Sequence, residues 1–258
     1  MSNPPRTDIS TLGEFGLIDR IASGFTLKNR TSLKGIGDDA AVIDAGDEVM
    51  LLSTDMLVEG IHFNLSYMPL QHLGYKAVAV NVSDIAAMNG KPEQIIISLA
   101  VSNRFSVEAI DAFFEGVNAA CDQSQVDLVG GDTTASPAGL VINVAVLGRT
   151  KKGNEVYRSG AKDTDVLCVT GDLGGAYIGL QILEREKEVF LADPNMQPDL
   201  EKHEYVVSRQ LRPQARMDII YELADLGVKP TSMIDISDGL ASELMHLSKN
   251  SGVGVRVF

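Results

Sequence analysis

The sequence predicts an α+β protein organised in two lobes, and two observations support that prediction. Strand-like and helix-like apolar patterns alternate along the chain, but without the strict βα repetition of a doubly wound parallel sheet. A polar, glycine-containing stretch over 151–165 separates two groups of these patterns, as is typical of a domain boundary. We therefore expect an N-terminal domain over 1–150 and a C-terminal α+β domain over 151–258.

The N-terminal part carries the clearest patterns. Residues 70–88 give the strongest helix signal, because they are apolar on most faces and are followed by Asn89-Gly90, a typical helix stop. A turn sequence over 44–47 predicts a hairpin between the strands that flank it. The other predicted features are a loose lead over 1–8, helices over 12–21 and 106–121, strands over 40–43, 49–54, 95–101, 126–129 and 140–148, and a turn at Gly130-Gly131-Asp132.

The C-terminal part gives shorter patterns. The chain stops at Phe258 within an apolar, strand-like run. Because a domain rarely ends on an apolar strand that has no partner, we expect the C-terminal domain to be incomplete. The predicted elements are strands over 166–170, over 233–236 and from Val253 onward, and helices over 174–186, within 194–212, over 215–226 and over 240–249.

Composition and charge narrow the classes of function. The chain has 258 residues, of which 45% are hydrophobic, and this is enough for a globular core. Its formal net charge of −13 argues against general binding to nucleic acid or to anionic membranes. No apolar run approaches the ~20 residues that a membrane helix needs. We interpret Cys121 and Cys168 as buried free thiols, and we expect a cytoplasmic protein.

Acidic residues recur beside Ser, Thr or Gly in five separate stretches. Mg²⁺ prefers oxygen ligands and is usually held by one or two carboxylates together with substrate phosphates. Aspartates on separate loops therefore fit several Mg²⁺ ions around a polyphosphate. A single aspartate is more often a turn or cap residue, but a carboxylate in the buried helix predicted over 70–88 needs a partner. The stretches contain Asp38-Asp39, Ser53-Thr54-Asp55, Ser83-Asp84, Gly131-Asp132 and Asp235-Ile236-Ser237-Asp238.

Two further residues each allow two interpretations. His62 is either a structural or surface histidine or a substrate contact beside Asp55. Arg158 is either a solvated arginine or a phosphate contact. The chain contains neither a Walker A motif nor the protein-kinase signatures. Any phosphoryl transfer must therefore depend on metals rather than on a lysine-bearing phosphate loop.

These stretches, in this order, resemble the thiamine-monophosphate kinase family. That family belongs to the superfamily of aminoimidazole ribonucleotide synthetase and selenophosphate synthetase. The likeness runs from Gly13 to the last residues, and its motifs are highly specific as a set. The family's later Gly-Gly-Glu-Asp-Tyr-Glu-Leu run and its C-terminal aromatic residue are missing from this sequence. The matching motifs are 35–42, Ser53-Thr54-Asp55 with His62, 81–88, 130–134, 158–161 and 235–240.

The resemblance implies an ATP-dependent phosphorylation of thiamine monophosphate to thiamine diphosphate, by direct in-line transfer and with several Mg²⁺ ions. No protein general base is expected, because a phosphate oxygen is already ionised near neutral pH. The resemblance also implies metal and ATP binding and homodimer formation by the N-terminal domain. The implied Mg²⁺ ligands are Asp39, Ser53, Thr54, Asp55, Asp84, Asp132, Asp235 and Asp238, the implied ATP contacts are Phe114, Gly131, Asp132, Arg158 and Ser237, and the implied substrate contact is His62.

Two other functions stay open at this stage. Another ATP-dependent enzyme of the same superfamily, such as a purine-pathway cyclo-ligase or a selenophosphate synthetase-like enzyme, would carry similar motifs. A non-enzymatic acidic module would bind divalent cations without a nucleotide. The spacing from Thr54-Asp55 to His62 and the Arg158-Ser159-Gly160 motif favour the kinase.

Overall fold

Six strands form one mixed sheet in the order β1-β2-β3-β6-β4-β5. The computed structural model describes residues 8–257, so the predicted loose lead lies outside the described residues except for Asp8. Neighbouring strands are antiparallel, apart from β4 and β5, which are parallel. The strands are β1 (Ser32–Lys34), β2 (Ala41–Asp44), β3 (Glu48–Val58), β4 (Lys91–Val101), β5 (Asp127–Ala135) and β6 (Leu140–Lys151).

The described residues also form seven α-helices, together with short 3₁₀-helices at Ile9–Thr11 and Glu201–His203. The mixed architecture confirms the predicted α+β class. The predicted hairpin is confirmed as well, because β2 and β3 pair from Ala41 opposite Leu52 to Asp44 opposite Val49. The helices are α1 (Gly13–Ala22), α2 (Leu70–Ala87), α3 (Val107–Ser124), α4 (Gly175–Ala192), α5 (Glu204–Leu211), α6 (Met217–Asp225) and α7 (Leu240–Ser251).

Helix α2 is the centre of the hydrophobic core, as its apolar pattern predicts. It packs on the sheet at β3, β4 and β6, and α3 packs against it. Side chains that face it from the strands, such as Leu51, Ile142 and Val146, are fully buried. Helices α4 to α6 contribute Leu183, Val207 and other apolar residues to the same core. Helices α5 and α6, which follow β6 in the chain, thus pack directly on the helix that covers the sheet.

The two faces of the sheet differ in character. On the face opposite α2, Leu52 of β3 is 42% exposed and Met56 is 54% exposed, although both are large and apolar. Ile96 of β4 lies on the same face, because the register aligns it with Ala145 of β6 and Thr54 of β3. This face therefore presents an apolar surface to solvent.

The turn predicted at Gly130-Gly131-Asp132 is wrong, because these residues lie within β5. They pair with β4, and the register shifts next to Ile96. A β-carbon on Gly131 would lie 1.9 Å from the carbonyl oxygen of Ile97. The glycine is therefore required by the close approach of two strands, which is a known use of glycine inside a sheet.

The strands predicted over 166–170, over 233–236 and from Val253 onward are not formed in the described residues. A strand is held by hydrogen bonds to a neighbouring strand, and these segments pair with none in the part of the chain that the structure describes. Cys168 lies in the first of them and is exposed, which corrects the prediction of a buried thiol. Cys121, on α3, is buried as predicted.

Among residues 8–257, no helix combines the length and the apolar character that crossing a membrane requires.

Gly74 on α2 and Gly116 on α3 allow the two helices to touch, and substituting Gly116 should destabilise the protein. A β-carbon on Gly116 would lie 1.8 Å from the backbone oxygen of Gln71. We expect Gly116→Ala to lower the free energy of unfolding by about 1–3 kcal/mol, because neither backbone can yield easily. The control is Gly16→Ala on α1, where the nearest contact is 3.4 Å and alanine favours the helix. Equal unfolding midpoints for both variants in urea would contradict this account.

Candidate functional site

Three carboxylates from distant parts of the sequence converge on one point. Asp39, Asp84 and Asp235 each place an oxygen within 4.8 Å of the others. Asp39 precedes β2, Asp84 lies in the last turn of α2, and Asp235 lies in the segment before α7. Asp55, on β3, is close enough to raise the pKa of Asp84 through its charge. Convergence is predicted for the aspartates of five segments, and the fold brings those of four together, whereas Asp132 of the fifth lies elsewhere.

Hydroxyl groups orient two of these carboxylates. Ser53 donates a hydrogen bond of 2.6 Å to Asp84 Oδ2, and Ser83 donates one of 2.8 Å to Asp235 Oδ2. Ser53 and Asp55 share a face of β3 because side chains alternate along a strand. That face is the one covered by α2, and it therefore turns both side chains toward Asp84.

Asn81 holds β3 and α2 in this arrangement, and the sequence reasoning did not assign it a role. Its side chain is 1% exposed, accepts a hydrogen bond of 3.1 Å from the N–H of Asp55 and donates one of 2.9 Å to the carbonyl of Ala77. The signal was present in the sequence as an amide inside the most apolar helix. A buried amide needs partners, and here those partners fix Asp55 relative to α2.

Arg158 binds Asp39 rather than standing free in solvent. Its Nε donates a hydrogen bond of 3.1 Å to Asp39 Oδ1, and its backbone N–H donates one of 2.9 Å to Asp38 Oδ1. Asp38 also lies 3.4 Å from Lys34 Nζ. The other oxygen of Asp39, Oδ2, is buried and has no hydrogen-bond partner among residues 8–257.

The pKa values of the four clustered carboxyl groups are all raised, so the arrangement disfavours their ionised forms. Burial, and after it the charges of Asp55 and Asp235, raise the pKa of Asp84 to about 9. Burial also raises the pKa of Asp39 to about 7, although Arg158 partly offsets it. The pKa values of Asp55 and Asp235 are raised mainly by burial as well. Like charges in a desolvated site disfavour ionisation unless a cation is added.

These features fit a divalent cation. The unpartnered Asp39 Oδ2 is a buried acceptor, and the neighbouring donor set consists of carboxylate and hydroxyl oxygens, which Mg²⁺ prefers. A bound cation reverses the local electrostatics, because it favours the ionised carboxylates that burial disfavours. Asp39, Asp84 and Asp235 are the residues that could hold it, with Asp55 beside them.

Several predicted site residues lie elsewhere in the described chain. The side chain of Thr54 points to the sheet face opposite Asp55, where its hydroxyl donates to the carbonyl of Val144 at 2.9 Å. Asp132 pairs with Ser98 on the edge strand β5. Strands β4 and β6 separate it from β3, and at ~4.8 Å per strand the separation is about 14 Å.

Other predicted site residues also make structural contacts. Phe114 packs partly buried against the core, with its ring centroid 5.3 Å from that of Phe113. Gly131 faces Ile97, as described for β5. His62 Nδ1 accepts a hydrogen bond of 2.9 Å from the N–H of Val58. His62 is also close enough to Asp55 for its charge to counter the rise of that pKa.

The segment that carries Asp235 is held by a residue that the sequence reasoning missed. Glu243, in the first turn of α7, is 6% exposed and accepts a hydrogen bond of 2.9 Å from the N–H of Asp238. Ser237 Oγ lies 3.4 Å from Asp235 Oδ1, whereas the side chain of Asp238 is exposed. Glu243 thus fixes the loop from Asp235 to Asp238 against α7.

Comparison with known proteins shows which proteins this chain is similar to. Residues 37–150 match the family model described as "AIR synthase related protein, N-terminal domain". The chain is 37% identical over 247 residues to thiamine-monophosphate kinase of Bacillus subtilis (strain 168), covering 95% of this chain and 73% of the relative. It is 36% identical over 250 residues to thiamine-monophosphate kinase of Aquifex aeolicus (strain VF5), covering 96% of this chain and 74% of the relative.

A solved structure agrees with this assignment. The structure described as "AaThiL complexed with AMPPCP and TMP" superimposes with a TM-score of 0.82 at 34% sequence identity, and covers 96% of this chain and 73% of that one. The aspartate cluster lies in the same part of the chain that these proteins share with it. On these sequence and structural similarities, the chain belongs to the thiamine-monophosphate kinase family.

Proposed function

We propose that this protein transfers the γ-phosphoryl group of ATP to thiamine monophosphate and so forms thiamine diphosphate, in a reaction that depends on Mg²⁺. The observation that supports this most directly is the convergence of Asp39, Asp84 and Asp235, with Asp55 beside them, in a chain of this family. The choice of ATP and thiamine monophosphate as substrates follows the structure of a relative that is described as complexed with AMPPCP and TMP. The proposal is a direct, in-line transfer without a phosphoenzyme.

The chain's own residues contribute mainly positioning. Asn81 and Ser53 fix Asp55 and Asp84, and Glu243 fixes the loop of Asp235. Such fixed groups act without reorganisation at the moment of transfer, which is the usual source of catalysis for phosphoryl groups. No residue is assigned as a general base, because the attacking phosphate oxygen is already ionised. We propose His62 as a contact to thiamine monophosphate, since it lies beside Asp55.

Mg²⁺, when bound by these carboxylates, would neutralise charge between two anionic reactants that otherwise repel each other. We propose that its ligands come from the set Asp39, Ser53, Thr54, Asp55, Asp84, Asp132, Asp235 and Asp238. We propose that ATP is contacted by Phe114, Gly131, Asp132, Arg158 and Ser237.

The distribution of these residues supports a homodimer. Asp132 lies about 14 Å across the sheet from β3 at ~4.8 Å per strand. If Asp132 is to ligate the same Mg²⁺ ion as Asp55, it has to come from a second copy of the chain. The exposed apolar face with Leu52, Met56 and Ile96 is the surface on which we propose that two N-terminal domains, 1–150, associate. The cytoplasmic location stays a prediction from the sequence.

The activity is tested by following ADP release with thiamine monophosphate and Mg²⁺. We expect turnover by the wild type and a loss of roughly 10²–10³ in kcat/KM for Asp84→Asn, by analogy with removal of one preorganised electrostatic group. Asp199→Asn, an exposed aspartate paired with Lys202, is the control and should retain full activity. Turnover of an aminoimidazole precursor but not of thiamine monophosphate would reject the proposal. Metal binding without any ATP binding would favour a non-enzymatic module.

The raised carboxyl pKa values predict how pH and Mg²⁺ affect stability. An aspartate whose pKa rises from 3.8 to about 9 on folding, as for Asp84, favours the folded state below pH 3.8 and loses that contribution as the pH approaches 9. We therefore expect the unfolding temperature in EDTA to fall between pH 5 and pH 9. Mg²⁺ should raise it most at high pH, where protons no longer compete for the ligands. Asp84→Asn should flatten both dependences. A stabilisation by Mg²⁺ that is equal at pH 5.5 and pH 8.5 would count against this site.

The proposed dimer surface is tested by placing a charge on it. Met56→Lys puts an ammonium group at the centre of the exposed face, and burying it in an interface is unfavourable. We expect the variant to sediment as a monomer at micromolar concentration, whereas the wild type sediments as a dimer. Val166→Lys, at an 84% exposed position outside the sheet, should remain dimeric. A monomeric wild type, or a dimeric Met56→Lys, would overturn this assignment.

A further inference from the structure

A second cleft lies away from the aspartate cluster, between the end of α3, the Gly171-Asp172 turn, and helices α5 and α6. It encloses about 720 Å³, and Arg209, Arg212 and Arg216 all line it. Small-molecule sites typically enclose ~300–1,000 Å³. The cleft lies toward the opposite end of α2 from Asp84. Arg212 contacts Tyr75, which precedes Asp84 by nine residues, about 14 Å at ~1.5 Å per residue.

Two of the arginines face the same glycine turn. A β-carbon on Gly171 would lie 3.3 Å from Arg216 Nη1 and 3.9 Å from Arg209 Nη2. Arg209 pairs through Nε with Asp172 at 2.9 Å, and Arg216 pairs through Nη2 with Asp218 at 2.9 Å. The aspartates therefore engage other nitrogens of the two guanidinium groups. These ion pairs hold both side chains in place. The nitrogens nearest Gly171, Arg216 Nη1 and Arg209 Nη2, lie beside the turn.

Arg212 differs, because no carboxylate in the described part of the chain forms an ion pair with it. Its guanidinium carbon lies 4.3 Å from the ring centroid of Tyr75. Tyr75 is 4% exposed, and its hydroxyl donates a hydrogen bond of 2.8 Å to Gln123, which also lines the cleft. The guanidinium group thus rests on a fixed aromatic ring. An arginine held in this way keeps its planar fork of donors available for an oxyanion.

The charge balance of the cleft is opposite to that of the whole protein. Three arginines face two aspartates in the cleft, whereas the chain has a formal net charge of −13. Tyr205 and Tyr221 line it as well and are 63% and 44% exposed. Exposed tyrosine rings beside arginines suit a ligand that combines a flat organic group with an anionic one.

We propose that this cleft is a binding site for a small organic phosphate, whose phosphoryl group is held by Arg212 together with Arg209 and Arg216. The flat part of the ligand lies against Tyr205 and Tyr221. The site is separate from the aspartate cluster, does not require Mg²⁺, and does not depend on the kinase activity proposed above. Guanidinium forks bind phosphate through paired, charge-assisted hydrogen bonds, which supply both affinity and orientation.

Calorimetry with phenyl phosphate in EDTA tests the proposal, because without Mg²⁺ the aspartate cluster lacks the cation that would hold a phosphate there. We expect the wild type to bind phenyl phosphate at least tenfold more tightly than phenol, which lacks the anion. Arg212→Gln should weaken the binding at least tenfold, in keeping with the strength of hydrogen bonds to charged groups. Arg185→Gln is the matched control, since this arginine lies on α4 outside the cleft and is exposed. Its affinity should stay within twofold of the wild type.

A second variant distinguishes a loss of phenyl phosphate binding from a folding defect. Arg209→Gln leaves the contact between Arg212 and Tyr75 intact and should also weaken phenyl phosphate binding, with an unchanged circular dichroism spectrum. Raising the salt concentration from 50 to 300 mM should weaken binding to the wild type more than to Arg212→Gln. The proposal is overturned by an absence of binding, by phenol binding as tightly as phenyl phosphate, or by equal losses in Arg212→Gln and Arg185→Gln. Binding that disappears in Asp84→Asn but persists in Arg212→Gln would place the anion at the aspartate cluster and also overturn it.

Discussion

Mutual repulsion among closely spaced, poorly hydrated carboxyl groups is the constraint on which the rest of the structure depends. Asp39, Asp84 and Asp235 each place an oxygen within 4.8 Å of the others, and Asp55 adds a fourth negative group. Alone, such groups would stay protonated or separate. The fold holds them together with Arg158, with serine hydroxyls and with buried amide and carboxylate partners. The stability of the core is what keeps this unfavourable arrangement in place.

Helix α2 connects the aspartate cluster with the rest of the molecule. Its last turn carries Asp84, while its first half is fixed against α3 by the close contact of Gly74 and Gly116 with opposing backbone. Tyr75, near the start of the helix, supports Arg212 in the basic cleft. The same rigid element thus positions an acidic site toward one end and a basic one toward the other. Because α2 is buried on most faces, neither end can move without disturbing the core.

The alternation of side chains along β3 divides the implied metal ligands into two groups. Ser53 and Asp55 face α2 and the aspartate cluster, whereas Thr54 faces the opposite side of the sheet. Asp132 belongs to the row of Ser98, Asn143 and Met56, on the side of Thr54. A single described chain therefore does not bring together all the residues that the family resemblance groups as one site. We propose that two copies associate through the exposed apolar face of Leu52, Met56 and Ile96 and so unite these residues.

The sequence by itself determined some of the local elements, the family and the carboxylate character of the predicted site. The apolar pattern of 70–88 and the turn over 44–47 were sufficient to predict α2 and the β2–β3 hairpin, because both depend on nearby residues. The order of the motifs identified the family, and it predicted that Asp39, Asp55, Asp84, Asp132 and Asp235 would meet, although Asp132 lies apart from the other four in the described chain. Only the tertiary structure decided which partners each of them has. The roles of Asn81 and Glu243, the turn that is in fact part of β5, and the unpaired segments after Thr150 all depend on contacts between residues far apart in the sequence. Local propensity contains no information about such contacts, since hydrogen bonds between strands and the burial of a polar group exist only after the chain has folded.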